Sequence, residues 1–198
     1  SMGGASTWHL ATHHAGLWCV ASPGAGFAET ALYNKALAPG KPARTPWERT
    51  LWRWYDATGY AANLFNLPTV AYSGEIDPQK HAADIMAQAM ATAGLTLEHH
   101  IGPQTAHKYH PETKKVVTAR IEALLEKGRD PSPAEVRVTT YTLRYPGRSW
   151  AQFAGLEKHW ERADLVARRT APDTVQITTK NTTAVNLLLP GLRSATID

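Results

Sequence analysis

The spacing of apolar positions changes once along the chain and divides it in two. Before residue 128 they fall at intervals of three and four or in short unbroken runs, the marks of helices and buried strands. Ala5, Trp8 and Ala11 or Thr12 predict a helix over 5–14, with Gly16 as its stop. Leu17-Trp18-Cys19-Val20-Ala21 predicts a short buried strand, ended by the loop Ser22-Pro23-Gly24-Ala25-Gly26. Further strands are expected over 67–74 and 96–101. Ala82, Ile85, Met86, Ala89, Met90 and Ala93 form the stripe of a helix lying on a sheet over 79–93, stopped by Gly94. Val117, Ile121, Leu124 and Leu125 give 111–127 the inner face of another helix. Strand, helix, strand, helix with short loops implies right-handed crossovers and three parallel strands with flanking helices.

Residues 28–66 carry no clean period and read as a helical insertion holding Trp47, Trp52 and Trp54, with Tyr33, Tyr55 and Tyr60 nearby. Aromatics with a polar handle either line pockets or pack an insertion onto the core. Trp52, Trp54 and Tyr55 are the candidates for substrate contact. After the linker 129–134 the spacing becomes two: Val136, Val138, Thr140 and Thr142 alternate with Thr139, Tyr141, Leu143 and Tyr145. Strands are expected over 135–145, 149–153, 163–169, 174–180, 184–189 and 195–197, a small all-β module over 135–198. Its last strand runs to Asp198, which leaves room for truncation there. The α/β part spans 1–128.

Composition narrows the function. With 198 residues, 43% hydrophobic and 19% charged, the chain can build one fair core or two modest ones. The net charge of +4 comes from lysines and arginines spread along the chain, which argues against a nucleic-acid partner. Cys19 is alone, so it forms no intrachain disulfide and no cysteine zinc cluster, and its apolar run predicts a buried inert thiol. No apolar run approaches the ~18–20 residues of a membrane span, and no signal peptide is visible. The nine histidines include His13-His14, His99-His100 and His107 with His110, but no H-E-x-x-H, and adjacent histidines on a strand face opposite ways. No metal and no cofactor are expected.

Ser1-Met2-Gly3-Gly4 reads as the second half of the elbow G-x-S-x-G, the strand-to-helix turn that exposes a nucleophilic serine. Nothing precedes Ser1, so the chain reads as one piece of a larger enzyme; the other reading is a residue left by tag cleavage before a start methionine at Met2. Serine hydrolysis needs a histidine to move the proton and a carboxylate to orient it. Asp77 follows the second predicted strand and His107 the third, so parallel topology brings Ser1, Asp77 and His107 to one sheet edge in the order serine, acid, histidine. Alternatives stay open: Asp77 before Pro78 as a helix cap, Glu75 as the acid, His107 as an unpartnered loop histidine, His110 in its place.

The elbow residues, the acid loop Ser73-Gly74-Glu75-Ile76-Asp77 and the histidine loop from Gly102 to His107 resemble the C-terminal part of a prolyl oligopeptidase-like α/β-hydrolase, over roughly residues 1–127. The resemblance implies a partial α/β-hydrolase fold and hydrolysis of a peptide or ester by Ser1, with His107 as general base then acid and Asp77 holding its tautomer. The Met2 backbone N–H would be one oxyanion donor. The second donor normally comes from an earlier loop, so weak catalysis is expected of this chain. The β-rich part, with Trp150 and His159-Trp160-Glu161-Arg162-Ala163, is similar to an appendage of large secreted bacterial members, implying a secreted or periplasmic protein. A second class of reading is a non-catalytic interaction fragment, with the β-module over 135–198 as the working part that binds a partner chain. The edge of the strand over 17–21, lacking a neighbour, would then recruit a second copy or a missing N-terminal segment.

Overall fold

The computed structural model describes residues 2–198; Ser1, the expected nucleophile, lies outside the described residues. The chain is mixed α/β. Helix α1 (Met2–His13) is followed by short helices α2 (Thr30–Tyr33) and α3 (Pro46–Trp52), strand β1 (Val70–Gly74), helix α4 (His81–Thr92), strand β2 (Glu98–Gly102) and helix α5 (Pro111–Lys127). Seven strands then follow: β3 (Glu135–Thr140), β4 (Gly147–Arg148), β5 (Ala151–Gly155), β6 (Ala163–Ala171), β7 (Thr174–Lys180), β8 (Ala184–Leu187) and β9 (Ser194–Ile197).

Strands β1 and β2 pair in parallel, from Val70 opposite Glu98 to Gly74 opposite Gly102. The strand expected over 17–21 does not form. Residues 15–17 make a 3₁₀ turn, and Leu17 and Trp18 are exposed. Instead the chain runs parallel to β1 four residues later, through bridges of Ala21 with Thr69 and Gly24 with Tyr72. Tyr72 N–H donates to the Pro23 carbonyl and Ala25 N–H to the Tyr72 carbonyl. Pro23 has no N–H to offer the ladder, which keeps this edge to isolated bridges. The sheet therefore has two regular strands and an irregular third segment over 21–25.

Strand β1 is buried on both faces. Ala71 packs with Trp8 of α1 and Met86 of α4, while Val70 and Tyr72 pack with Val117 and Leu124 of α5. The α4 stripe matches the expected inner face at Ala82, Ile85, Met86 and Met90, whereas Leu125 of α5, expected inside, is 52% exposed. Helix α5 has Pro111 in its first turn and Gly128 at φ +70° after its last residue, a stop that left-handed backbone favours.

In the β part, one sheet has the order β3-β6-β7-β9, with β9 parallel to β7 and the other pairs antiparallel; a second holds β4-β5-β8. Val136, Val138, Phe153, Leu165, Val175 and Ile177 fill the core, alternate residues of facing strands. The strand expected over 135–145 stops at Thr140. Its hydroxyl takes the Thr142 N–H, a local turn that competes with the ladder.

A 3₁₀ helix over 58–66 joins the two parts. Asn63 accepts from Thr139 N–H (2.7 Å) and donates to the Thr139 carbonyl (3.0 Å) and the Thr12 carbonyl (2.8 Å). Asn66 donates to the Glu135 carbonyl (2.7 Å) and accepts from Arg137 N–H (3.2 Å). A 3₁₀ turn advances about 6 Å, close to the ~6.6 Å of a two-residue strand repeat, so side chains three apart on the helix meet β3 at alternate residues.

Candidate active site

Strands β1 and β2 end in a facing pair of glycines, Gly74 and Gly102. A Cβ on Gly74 would collide with the Thr105 and Ala106 carbonyls, so only glycine lets the loop after β1 close onto the loop after β2. Main-chain bonds then tie the loops together: Glu75 N–H to the Gly102 carbonyl (2.9 Å) and Ile76 N–H to the Thr105 carbonyl (3.1 Å). The Glu75 carboxylate accepts from Gln104 N–H at 2.7 Å, away from His107.

Asp77 sits where these loops meet and is 6% exposed. One carboxylate oxygen accepts the Gln79 N–H at 2.9 Å, capping the short helix over 78–80; the other faces His107 Nδ1 at 2.8 Å. Asp77 is thus both a cap and the partner of the histidine. The acid that holds His107 is Asp77, not Glu75. An Nδ1–H donating to a carboxylate leaves Nε2 as the basic nitrogen. The His107 side chain is half exposed, so that nitrogen belongs to the accessible part of the pair.

A cavity of about 140 Å³ opens beside the pair, walled by Gly24 and Ala25 on one side and by Asp77, His107 and Tyr109 on the other. Helix α1 packs its first turn onto the same Gly24-Ala25 segment, where a Cβ on Gly4 would collide with both carbonyls. The first turn of a helix carries its positive end, here at Met2. Next to this wall, the Gln79 side chain accepts Gly26 N–H at 3.0 Å.

The aromatics expected at the substrate lie elsewhere. Trp54 packs edge-on against Trp160 at 5.8 Å, Tyr55 stacks on His9 at 4.6 Å, and Trp52 ends α3 half-buried. None of them walls the cavity beside His107. Three of the other histidines are held by partners of their own. His110 caps α5 by accepting Thr113 N–H, His99 meets the buried Ser73 hydroxyl at 3.0 Å, and His100 pairs with Glu98. Burial holds His99 below the usual imidazole range. Among the described residues no three His, Cys, Asp or Glu side chains gather as a metal site would require.

Tyr72 and Tyr109, absent from the sequence-based site, belong to it. Tyr72 is 4% exposed, its hydroxyl donates to the Lys108 carbonyl (2.9 Å) and accepts His110 N–H (2.7 Å), and its ring stacks on Tyr109 at 4.2 Å. Burial pushes the Tyr109 phenol up. The one signal in the sequence was a tyrosine inside a fully buried strand, whose hydroxyl must find partners.

The chain matches no protein-family model and no curated protein.

Proposed function

We propose that this chain is part of a serine hydrolase of α/β-hydrolase type acting on peptide or ester bonds, with Ser1, Asp77 and His107 as its triad. The observation that carries this reading is the Asp77–His107 pair: a buried carboxylate bonded to the Nδ1 of a half-exposed imidazole, at the C-terminal ends of neighbouring parallel strands. Loops at such strand ends are where open α/β sheets bind ligands.

In this mechanism Ser1 Oγ attacks the carbonyl carbon while His107 Nε2 takes its proton. Asp77 keeps Nδ1 protonated and stabilises the imidazolium. The Met2 N–H, in the first turn of α1, is the assigned oxyanion donor; one such donor is worth ~10²- to 10³-fold in rate. When the tetrahedral adduct collapses, the leaving amine or alkoxide receives the proton from His107. Water then repeats the sequence on the acyl-enzyme.

Prolonged exposure to a fluorophosphonate, with the adduct located by mass spectrometry, tests this reading. Modification is expected at Ser1, absent in Ser1→Ala and His107→Ala, and slowed ~10³- to 10⁴-fold in Asp77→Asn. An unmodified chain, an adduct at another residue, or labelling that survives His107→Ala would overturn it.

A further inference from the structure

We propose that Tyr72 is a positioning residue for His107, fixing from inside the sheet the segment that carries the imidazole. The inference deepens the hydrolase reading, since it rests on His107 being the base. The chain from 103 to 110 is held at two places. Upstream, Gln104 N–H is bound by the Glu75 carboxylate and the Thr105 carbonyl by Ile76 N–H. Downstream, the Lys108 carbonyl and the His110 N–H both converge on a single oxygen, the Tyr72 hydroxyl.

His107 lies between these anchors, and its ring is held only by Asp77 among the described hydrogen bonds. The phenol reaches this position because Gly102 lacks a Cβ, which would collide with the hydroxyl oxygen. The Tyr109 ring, stacked on Tyr72 at 4.2 Å, lines the cavity together with it. One hydroxyl donating in one direction and accepting in the other thus fixes two main-chain groups, one and three residues past the imidazole. Removing that oxygen keeps the ring and the stack while freeing the downstream half of the loop.

Tyr72→Phe makes this removal. With an activated ester as substrate, kcat is expected to fall about 10- to 100-fold, the scale set by misplacing a catalytic group, with KM held within about twofold. The second readout is the His107 tautomer from its ring ¹⁵N shifts. The wild-type ring should be in the Nδ1–H form, and Tyr72→Phe should shift it toward a mixture with Nε2–H. A variant that keeps both the wild-type kcat and the wild-type tautomer overturns the proposal, as does a wild-type ring that is not in the Nδ1–H form.

If Tyr72→Phe fails to fold, hydrogen exchange of the His110 amide in the wild-type chain decides. Protection supports the anchor, and exchange at a free-peptide rate overturns it. A wild-type chain that shows the Nδ1–H tautomer without hydrolysing the ester defeats the hydrolase reading alone, and the tautomer comparison still decides the role of Tyr72.

Discussion

Asp77 in the α/β part and Arg148 in the β part are both buried titratable side chains, 6% and 5% exposed, and their surroundings are opposite. Asp77 has both carboxylate oxygens bonded, to Gln79 N–H and to His107. The Arg148 guanidinium has Nε and one terminal nitrogen buried with no hydrogen-bond partner among the described residues, and burial pushes its pKa down to about 9. His13 on α1 stands between them. Its Nδ1 lies 2.8 Å from the His9 carbonyl, its Nε2 is buried without a described partner, and burial, reinforced by the neighbouring His9, lowers its pKa to about 3. A buried polar group with every valence satisfied can be held in place for chemistry. One left short is a cost carried by the fold.

The comparison can be broken at three points, the largest first. His13 is neutral in the folded chain, whereas the unfolded chain protonates it near pH 6.5. The folded state therefore has its full stability above that pH and loses it as pH falls toward 3. At ~1.4 kcal/mol per unit the loss is on the order of 3–5 kcal/mol. Urea midpoints taken across that range should fall steeply, and much less in His13→Phe.

Next is Asn63, the satisfied case. Asn63→Ala leaves the buried Thr139 N–H and carbonyl and the Thr12 carbonyl without their partner. The expected loss is about 2–4 kcal/mol in denaturant unfolding. A change within experimental error would mean that these bonds contribute nothing net.

The smallest effect tests the unsatisfied case and has the opposite sign. Arg148→Met should be neutral or raise stability by about 1–2 kcal/mol at pH 7, because it removes a charge buried without compensation. Strong destabilisation by Arg148→Met would show that the guanidinium is compensated after all.

Elements whose signals are local were legible in the sequence. Helix α5 runs over the expected 111–127 because proline and glycine mark its ends, and β7 runs over the expected 174–180 because alternation and turns bound it. The run 17–21 misled, because five apolar residues with no period fit a strand or the approach to a turn equally well. Strand β4, two residues long, and the helices of the insertion carry no period to read.

The approach of Asp77 to His107 followed from order alone, since parallel strands deliver their following loops to one edge. The placement of Trp52, Trp54 and Tyr55 did not. Which surface an insertion packs against depends on contacts over a hundred residues away, such as Trp54 on Trp160. Tyr72 was missed because a strand pattern shows that a side chain is inside and says nothing of where its oxygen reaches.

The asparagine pair on the 58–66 helix bears on how the chain can be divided. Strand β3 would be a bare border of its sheet were two carboxamides not answering its amides and carbonyls. Severing the polypeptide at the proline-rich linker would strip that cover and leave an adhesive margin able to recruit any extended peptide. The two halves are therefore joined by more than the linker, through main-chain groups of β3 that the 58–66 helix satisfies.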